Sequence, residues 1–181
     1  MIALPDRFVR GVLDGDDMEA LKCVYTALYP GLDLATCTFS QVIKKFKTVE
    51  IGMTTYGSRM ACRSLRSARI RASWCGDDGT INSLSLNVRP GYVKYYIRHE
   101  FRVGGTSKEH IFAIVDWYQN HSQKGYFGNP IEVWKERDFE QGGPSTFLPV
   151  QRIVSTFAAA SYKVAGIDSL VVSPIPYKIY V

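Results

Sequence analysis

The stretch that decides the fold is GYVKYYIRHEFRV, residues 91–103, in which apolar and polar side chains alternate. An alternation of period two over this length is typical of a β-strand with one face turned to the core. The residues expected on the buried face are Val93, Tyr95, Ile97, His99, Phe101 and Val103, and those expected on the other face are Lys94, Tyr96, Arg98, Glu100 and Arg102.

The sequence on the C-terminal side of this stretch predicts a partner strand. Gly104-Gly105 indicates a turn, and residues 110–118 are apolar on both faces, as in a strand at the centre of a sheet. The two segments are therefore predicted to pair as a long hairpin.

Further strands are predicted around this hairpin from short apolar or alternating runs that are separated by Gly, Pro and Asp turn signals. These runs occupy residues 49–53, 70–74, 81–86, 131–139, 147–154, 169–172 and 177–181. Short antiparallel strands at this spacing favour a small β-barrel or sandwich.

The N-terminal third predicts two helices. The first follows Asp16 and Glu19, which have capping-box spacing, and stops at Pro30-Gly31. The second places Phe39, Val42, Ile43 and Phe46 on one face and Lys44, Lys45 and Lys47 on the other. We therefore expect an α+β, mainly β chain, with an N-terminal helical extension over 1–48 and a barrel-like β domain over 49–181.

Composition excludes several classes of protein. The 181 residues are 46% hydrophobic and 22% charged, as in a folded globular chain, and no apolar run approaches the ~18 residues that span a membrane. No secretory signal precedes the domain, and no two of the four cysteines form a Cys-x-x-Cys pair. We expect buried free cysteines, no membrane association, and a nuclear or, alternatively, a cytoplasmic location.

The charge is unevenly distributed. Residues 44–71 carry eight cations and one anion, Glu50, a net charge of +7, whereas the whole chain has +5. A basic segment without neutralising acids favours contact with a phosphate backbone, although a solvated cationic face is an equally good interpretation. The candidate nucleic-acid-binding residues are Lys44, Lys45, Lys47, Arg59, Arg63, Arg66, Arg69 and Arg71.

An aromatic cluster is the second signal. Four aromatic residues, considered as candidate peptide-binding residues, lie within eighteen positions: Trp117, Tyr118, Tyr126 and Trp134. Aromatic rings can enclose a methylated ammonium group by cation–π attraction, as in readers of histone tails. The simpler alternative is that the rings fill the core of a small barrel.

No catalytic motif is present. The sequence has no Gly-x-Ser-x-Gly elbow and no phosphate-binding loop, and its three histidines are not spaced as metal ligands. A nuclease-like enzyme with dispersed carboxylates, such as Asp116, stays as an alternative. We expect no catalytic residue, no metal and no cofactor.

Three segments together resemble the bromo-adjacent-homology (BAH) domain. They are GYVKYYI at 91–97, HIFAIVDWY at 110–118 and FLPVQRI at 147–153, and they follow the order of that family. The resemblance implies a distorted, SH3-like or BAH-like β-barrel used in chromatin and nucleosome interaction.

Upstream segments add a second similarity. YGSR at 56–59 and RSARIRASW at 66–74 are similar to uncharacterised open reading frames in eukaryotic mobile elements, which implies association with DNA transposition or with host chromatin. The predicted function is therefore a non-catalytic DNA- or chromatin-binding module that binds DNA in preference to RNA. A histone-peptide or protein-interaction module is the alternative.

Overall fold

The computed structural model describes residues 1–61 and 65–175, apart from the side chain of Leu65. The helices and strands, in chain order, are β1 (Ile2–Ala3), β2 (Val9–Val12), α1 (Gly15–Leu28), β3 (Cys37–Phe39), β4 (Val42–Phe46), β5 (Val49–Ile51), β6 (Thr54–Tyr56), α2 (Leu65–Ala68), β7 (Arg69–Ala72), β8 (Arg89–Val103), β9 (Thr106–Asn120), β10 (Glu132–Phe139), β11 (Phe147–Pro149), β12 (Ile153–Val164) and β13 (Ile167–Pro174). Single 3₁₀ turns cover Leu34–Thr36, Arg59–Ala61, Pro144–Thr146 and Val150–Arg152.

Six antiparallel strands close into a ring. Hydrogen-bonded pairs join β8 to β9, β9 to β10, β10 to β13, β13 to β12, β12 to β7, and β7 back to β8. Three strands, β7, β4 and β3, pair in succession along one edge of the long strand β8. Strand β9 pairs along its other edge. The chain is thus mainly β with a large antiparallel sheet, and β1, β5 and β6 form a separate small sheet.

The β8–β9 hairpin lies where the alternating stretch predicts it. β8 ends at Val103 and β9 begins at Thr106, so the turn consists of Gly104 and Gly105, which have φ of 55° and 79°. Two-residue hairpin turns need this left-handed backbone, which glycine adopts without steric cost. One bulge interrupts the pairing at Lys94.

The buried face of β8 is largely as predicted. Val93, Ile97 and Phe101 are buried, and Arg98 is exposed. Tyr96 was expected on the open face and is buried instead, because the segment before α2 covers it and its hydroxyl donates to the Gly57 carbonyl at 2.9 Å.

The first predicted helix is confirmed as α1. Asp14, rather than Asp16, caps it by accepting a hydrogen bond from the backbone of Asp17 at 2.8 Å. Its apolar face packs on the sheet through Leu21, Val24 and Tyr25, all fully buried.

The second predicted helix is wrong. Residues 39–46 form strands β3 and β4, which pair with β8. The spacing of Phe39, Val42, Ile43 and Phe46 fits a helix, but the two β-branched residues and the open edge of β8 favour pairing. Lys44 and Lys45 are neighbours in a strand and therefore point to opposite faces.

The strand predicted over 81–86 is also wrong. Only Ile81 makes a β-bridge, to Cys75, and Leu84 and Leu86 are 86% and 93% exposed. Their apolar side chains have no sheet to pack against, and the segment is held by turn hydrogen bonds such as Ser85 N to the Asn82 carbonyl. The strand predicted over 177–181 lies outside the described residues.

One core crosses the domain boundary predicted between residues 48 and 49. Leu21 of α1 and Ile43 of β4 pack in the same cluster as Val93 of β8 and Phe112 of β9. A second cluster joins the other strands of the ring through Tyr118, Trp134, Phe157, Leu170 and Val172.

Candidate nucleic-acid interface

Two neighbouring pockets are lined by part of the basic segment. The first has a volume of about 650 Å³ and the second of about 530 Å³. Thr55 and Ser67 line both, so the pockets are adjacent, and we call the pair the basic groove. Its cations are Arg7, Lys45 and Lys47 in the first pocket, and Arg66 and Arg69 in the second.

Six parts of the fold build this groove. The first pocket lies between the segment before β2, the end of β4 and β6, while the second lies between β6, α2, the start of β7 and β12. Gly57 lets the chain come close, since its N–H donates to the Ser67 carbonyl at 3.0 Å. A Cβ on Gly57 would lie 2.3 Å from Ser67 Oγ and 3.2 Å from Ser67 Cβ, so a side chain there would force the Ser67 side chain to shift.

The first pocket combines cations with an apolar wall. Phe8 is 41% exposed, and its ring centroid lies 5.9 Å from that of Phe46. Lys44 Nζ lies 4.7 Å from the centroid of the Phe8 ring, a cation–π distance, and Lys45 Nζ lies 4.5 Å from that of Tyr95. The first contact restricts the Phe8 ring and the second restricts the stem of Lys45, and both of these residues line the pocket.

The second pocket contains an arginine with an unused donor. Arg69 is hydrogen-bonded to Tyr118, and its Nε is buried without a hydrogen-bond partner within the part of the chain that the structure describes. Burial raises the pKa of Tyr118, and the Arg69 cation opposes that shift. A buried N–H donor without an acceptor costs free energy.

The groove is free of acids over the described ranges 1–61 and 65–175, since no Asp or Glu lines either pocket. Residues 62–64 and 176–181 also contain no acid in the sequence. The one anion of the basic segment, Glu50, is exposed and pairs across the small sheet with Thr55, which places it beside the groove.

The other predicted cations are placed differently. Lys44 covers Phe8, Arg71 is half-buried on β7, and Arg59 is engaged elsewhere, while Arg63 lies outside the described residues. The structure therefore brings together four of the eight predicted cations and adds Arg7. It does not place all eight on one face.

Arg59 belongs to a separate polar cluster on β8 and β9. Its guanidinium lies 4.5 Å from the centroid of the Tyr92 ring and 3.2 Å from Asp116. Lys94 Nζ approaches the same carboxylate at 3.5 Å. Asp116 thus forms ion pairs with two cations, one from the segment before α2 and one from β8.

Three of the four candidate peptide-binding aromatics are core residues. Trp117 and Tyr118 are each 2% exposed and Trp134 is fully buried, so none can enclose a ligand in this structure. The Trp117 indole N–H donates to the Ser145 carbonyl at 2.9 Å. Tyr126, 59% exposed, is the one member that a peptide could contact.

The described segments contain no assembled metal site. No group of three or more His, Cys, Asp or Glu side chains there is placed to hold a metal ion. Burial lowers the pKa of both His99 and His110, and both bond to tyrosines of α1. These two histidines therefore serve the packing of the helix.

Several groove residues were not predicted from the sequence. Arg7 and Phe8 lie far from the basic segment, and Thr156 and Phe157 reach the second pocket from β12. The adjacent Arg7 and Phe8 are only a weak sequence signal for a binding site that combines a cation with an aromatic ring. Nothing local in the sequence indicates Thr156 or Phe157.

Comparison with protein-family models, with curated proteins and with solved structures finds no match. Among the described residues, neither helix has the length and apolar character needed to cross a bilayer.

Proposed function

We propose that the protein is a non-catalytic nucleic-acid-binding module, with DNA preferred to RNA, that contacts phosphates through the basic groove. The observation that carries this proposal is the gathering of five cations around two adjacent pockets that no described acid lines. Arginines suit bidentate contacts to phosphate, and threonine and serine hydroxyls add hydrogen bonds to the same oxygens.

The barrel type, chromatin partner and nuclear location form the finer part of this proposal. The order of the three BAH-like segments supports a BAH-like barrel with a chromatin partner. The ring of six strands supports the same barrel type, because a BAH-like domain is a distorted barrel. The similarity of residues 56–59 and 66–74 to mobile-element reading frames supports DNA as the partner, since Gly57, Arg66 and Arg69 of these segments line the groove.

The salt dependence of binding tests the main proposal. Each neutralised phosphate releases condensed counterions, so five contacts predict a slope of about −4 to −5 for log K against log salt on duplex DNA. Fluorescence anisotropy with a labelled oligonucleotide between 50 and 300 mM NaCl, roughly the range where such slopes are resolved, measures it. A slope near zero would contradict phosphate contact.

Charge-reversal variants locate the contact. Lys47→Glu with Arg66→Glu reverses two exposed groove cations and should weaken binding at least about tenfold for every sequence. The matched control, Arg102→Glu with Lys163→Glu, makes the same change in net charge at side chains that are 69% and 67% exposed and do not line the groove. Equal losses in both pairs would mean that only net charge matters.

A peptide-binding module is the second candidate. The exposed rings of Tyr126, Phe127 and Tyr162 adjoin, with centroid distances of 4.9 and 6.1 Å. A histone-tail peptide bound here should be lost in Tyr126→Ala while the fold is retained. No binding of methylated or unmethylated tail peptides to the wild-type protein would exclude this candidate.

A further inference from the structure

We infer that the first pocket of the basic groove receives an unpaired nucleobase, so that the preferred ligand is a single strand rather than a duplex. This inference rests on the proposed function, because it names the form of nucleic acid that the same groove binds. It follows from the apolar wall of the pocket, which phosphate contact alone does not explain.

The pocket presents two chemistries side by side. Pro5, Phe8 and Met60 supply apolar surface, and Lys45 and Lys47 supply charge. The outside of a duplex offers phosphates and sugars, while its bases stay stacked inside, so a duplex has no apolar group to place in this concavity. A single strand offers both a phosphate and a free base within one nucleotide.

Phe8 is placed to stack on that base. Its ring lines the pocket, is 41% exposed, and is held from behind by Phe46 at a centroid distance of 5.9 Å. Lys44 restricts it further by its cation–π contact at 4.7 Å. A ring fixed before binding loses little conformational freedom when a base stacks on it.

The second pocket is positioned for a neighbouring phosphate. Arg66 is exposed at its wall, and the half-buried Arg69 adds a second cation to the same wall. Thr55 and Ser67 lie between the pockets, so a strand that passes over them would place its base and a phosphate in adjacent sites.

Three oligonucleotides of equal length separate the possible ligands. They are a single-stranded thymidine 12-mer, the same backbone with abasic sugars, and a 12-base-pair duplex. The abasic strand carries the charge without the bases, and base–aromatic stacking predicts about tenfold tighter binding of the thymidine strand. The duplex should bind no more tightly than the abasic strand per phosphate.

Phe8 variants test the stacking directly. Phe8→Leu keeps an apolar side chain and should remove the preference for thymidine over abasic strand, while affinity for the abasic strand stays within about twofold. Phe8→Trp should keep the preference, and its new indole fluorescence should be quenched by the thymidine strand alone. Phe127→Leu, a substitution at an equally exposed phenylalanine outside the groove, should change neither strand's affinity.

The outcomes separate this inference from the proposed function. Equal affinity for thymidine and abasic strands, with a steep salt dependence, overturns the base pocket and leaves phosphate binding intact. Failure of all three oligonucleotides to bind overturns both. Tighter binding to vesicles containing anionic phospholipid than to any oligonucleotide would assign the same pocket to a lipid headgroup and would also overturn the inference.

Discussion

At the scale of single residues, the basic segment and the aromatic cluster differ in how far their side chains are buried. The aromatic cluster lies mostly in the core, and the exposed ring that borders the basic groove is Phe8, far from that cluster in the chain. Where apolar and polar residues alternate, the sequence predicts which face of a strand is buried. Strand β9 is apolar on both faces, so its sequence does not show whether Trp117 belongs to the core or to a binding site.

Trp117→Ala tests the assignment of this residue to the core. Removing a large, fully packed ring and its hydrogen bond to Ser145 should lower the free energy of unfolding by about 3–5 kcal/mol. Urea denaturation followed by circular dichroism measures the change. Tyr126→Ala, at an exposed ring, should stay within about 0.5 kcal/mol. A normal stability for Trp117→Ala would return this residue to the list of binding candidates.

At the scale of elements, α1 is joined to the sheet by two tyrosine–histidine hydrogen bonds. Tyr25 Oη lies 2.6 Å from His99 Nδ1, and Tyr29 Oη lies 2.7 Å from His110 Nε2. His99 Nε2 lies 2.7 Å from the Ser40 carbonyl and must donate to it, so Nδ1 accepts from Tyr25. This arrangement uses both ring nitrogens of neutral His99.

Acid should therefore loosen the attachment of α1. Burial lowers the pKa of His99 and His110 in the folded chain, while the unfolded chain takes up these protons near pH 6.5. Stability from this source is complete above pH 6.5 and declines as the pH falls toward the folded-state pKa values. Urea midpoints at pH 7.5 and at lower pH should show the decline.

A variant without the titrating ring isolates this effect. His99→Gln removes one of the two groups, so its urea midpoint should fall less steeply between about pH 6.5 and 5 than that of the wild type. Parallel curves for the two proteins would show that His99 does not contribute to the acid sensitivity.

At the scale of the whole molecule, one buried arginine ties the strands of the ring together. Arg89 begins β8, is fully buried, and donates to the Gly76 carbonyl at 2.7 Å and to the Tyr118 carbonyl at 3.3 Å. It also pairs with Glu140, just after β10. Burial alone would lower the pKa of Arg89, but the hydrogen bond to Glu140 and the interactions with Cys75 and the Glu140 charge together outweigh burial and raise it.

Removal of this carboxylate should destabilise the whole ring. Glu140→Ala removes the nearer of the two carboxylates around the buried Arg89 and leaves only Asp77, whose Oδ1 lies 3.7 Å from Nε, so the free energy of unfolding should fall by about 3 kcal/mol. Asp138→Ala, the loss of an exposed carboxylate two residues away, should change stability by less than about 0.5 kcal/mol. Calorimetry of the two variants makes the comparison, and a loss below 1 kcal/mol for Glu140→Ala would show that water or another group compensates Arg89.

The sequence by itself determined the elements whose signals are local. Alternation over 91–103 and the Gly104-Gly105 pair are enough to predict the β8–β9 hairpin, because strand period and turn geometry depend on neighbouring residues. The same holds for α1, whose cap and apolar face lie within fifteen residues. The basic composition of residues 44–71 was equally visible.

Only the tertiary structure decided where those charges lie. Pairing with β8 turned residues 42–46 into a strand, and this separated Lys44 from Lys45. The groove forms because β6, α2 and β12 meet and because the segment before β2 brings Arg7 and Phe8 to Lys47. The second pocket alone is lined by residues as far apart in the chain as Thr54 and Ile175, and such long-range packing leaves no periodic trace in the local sequence.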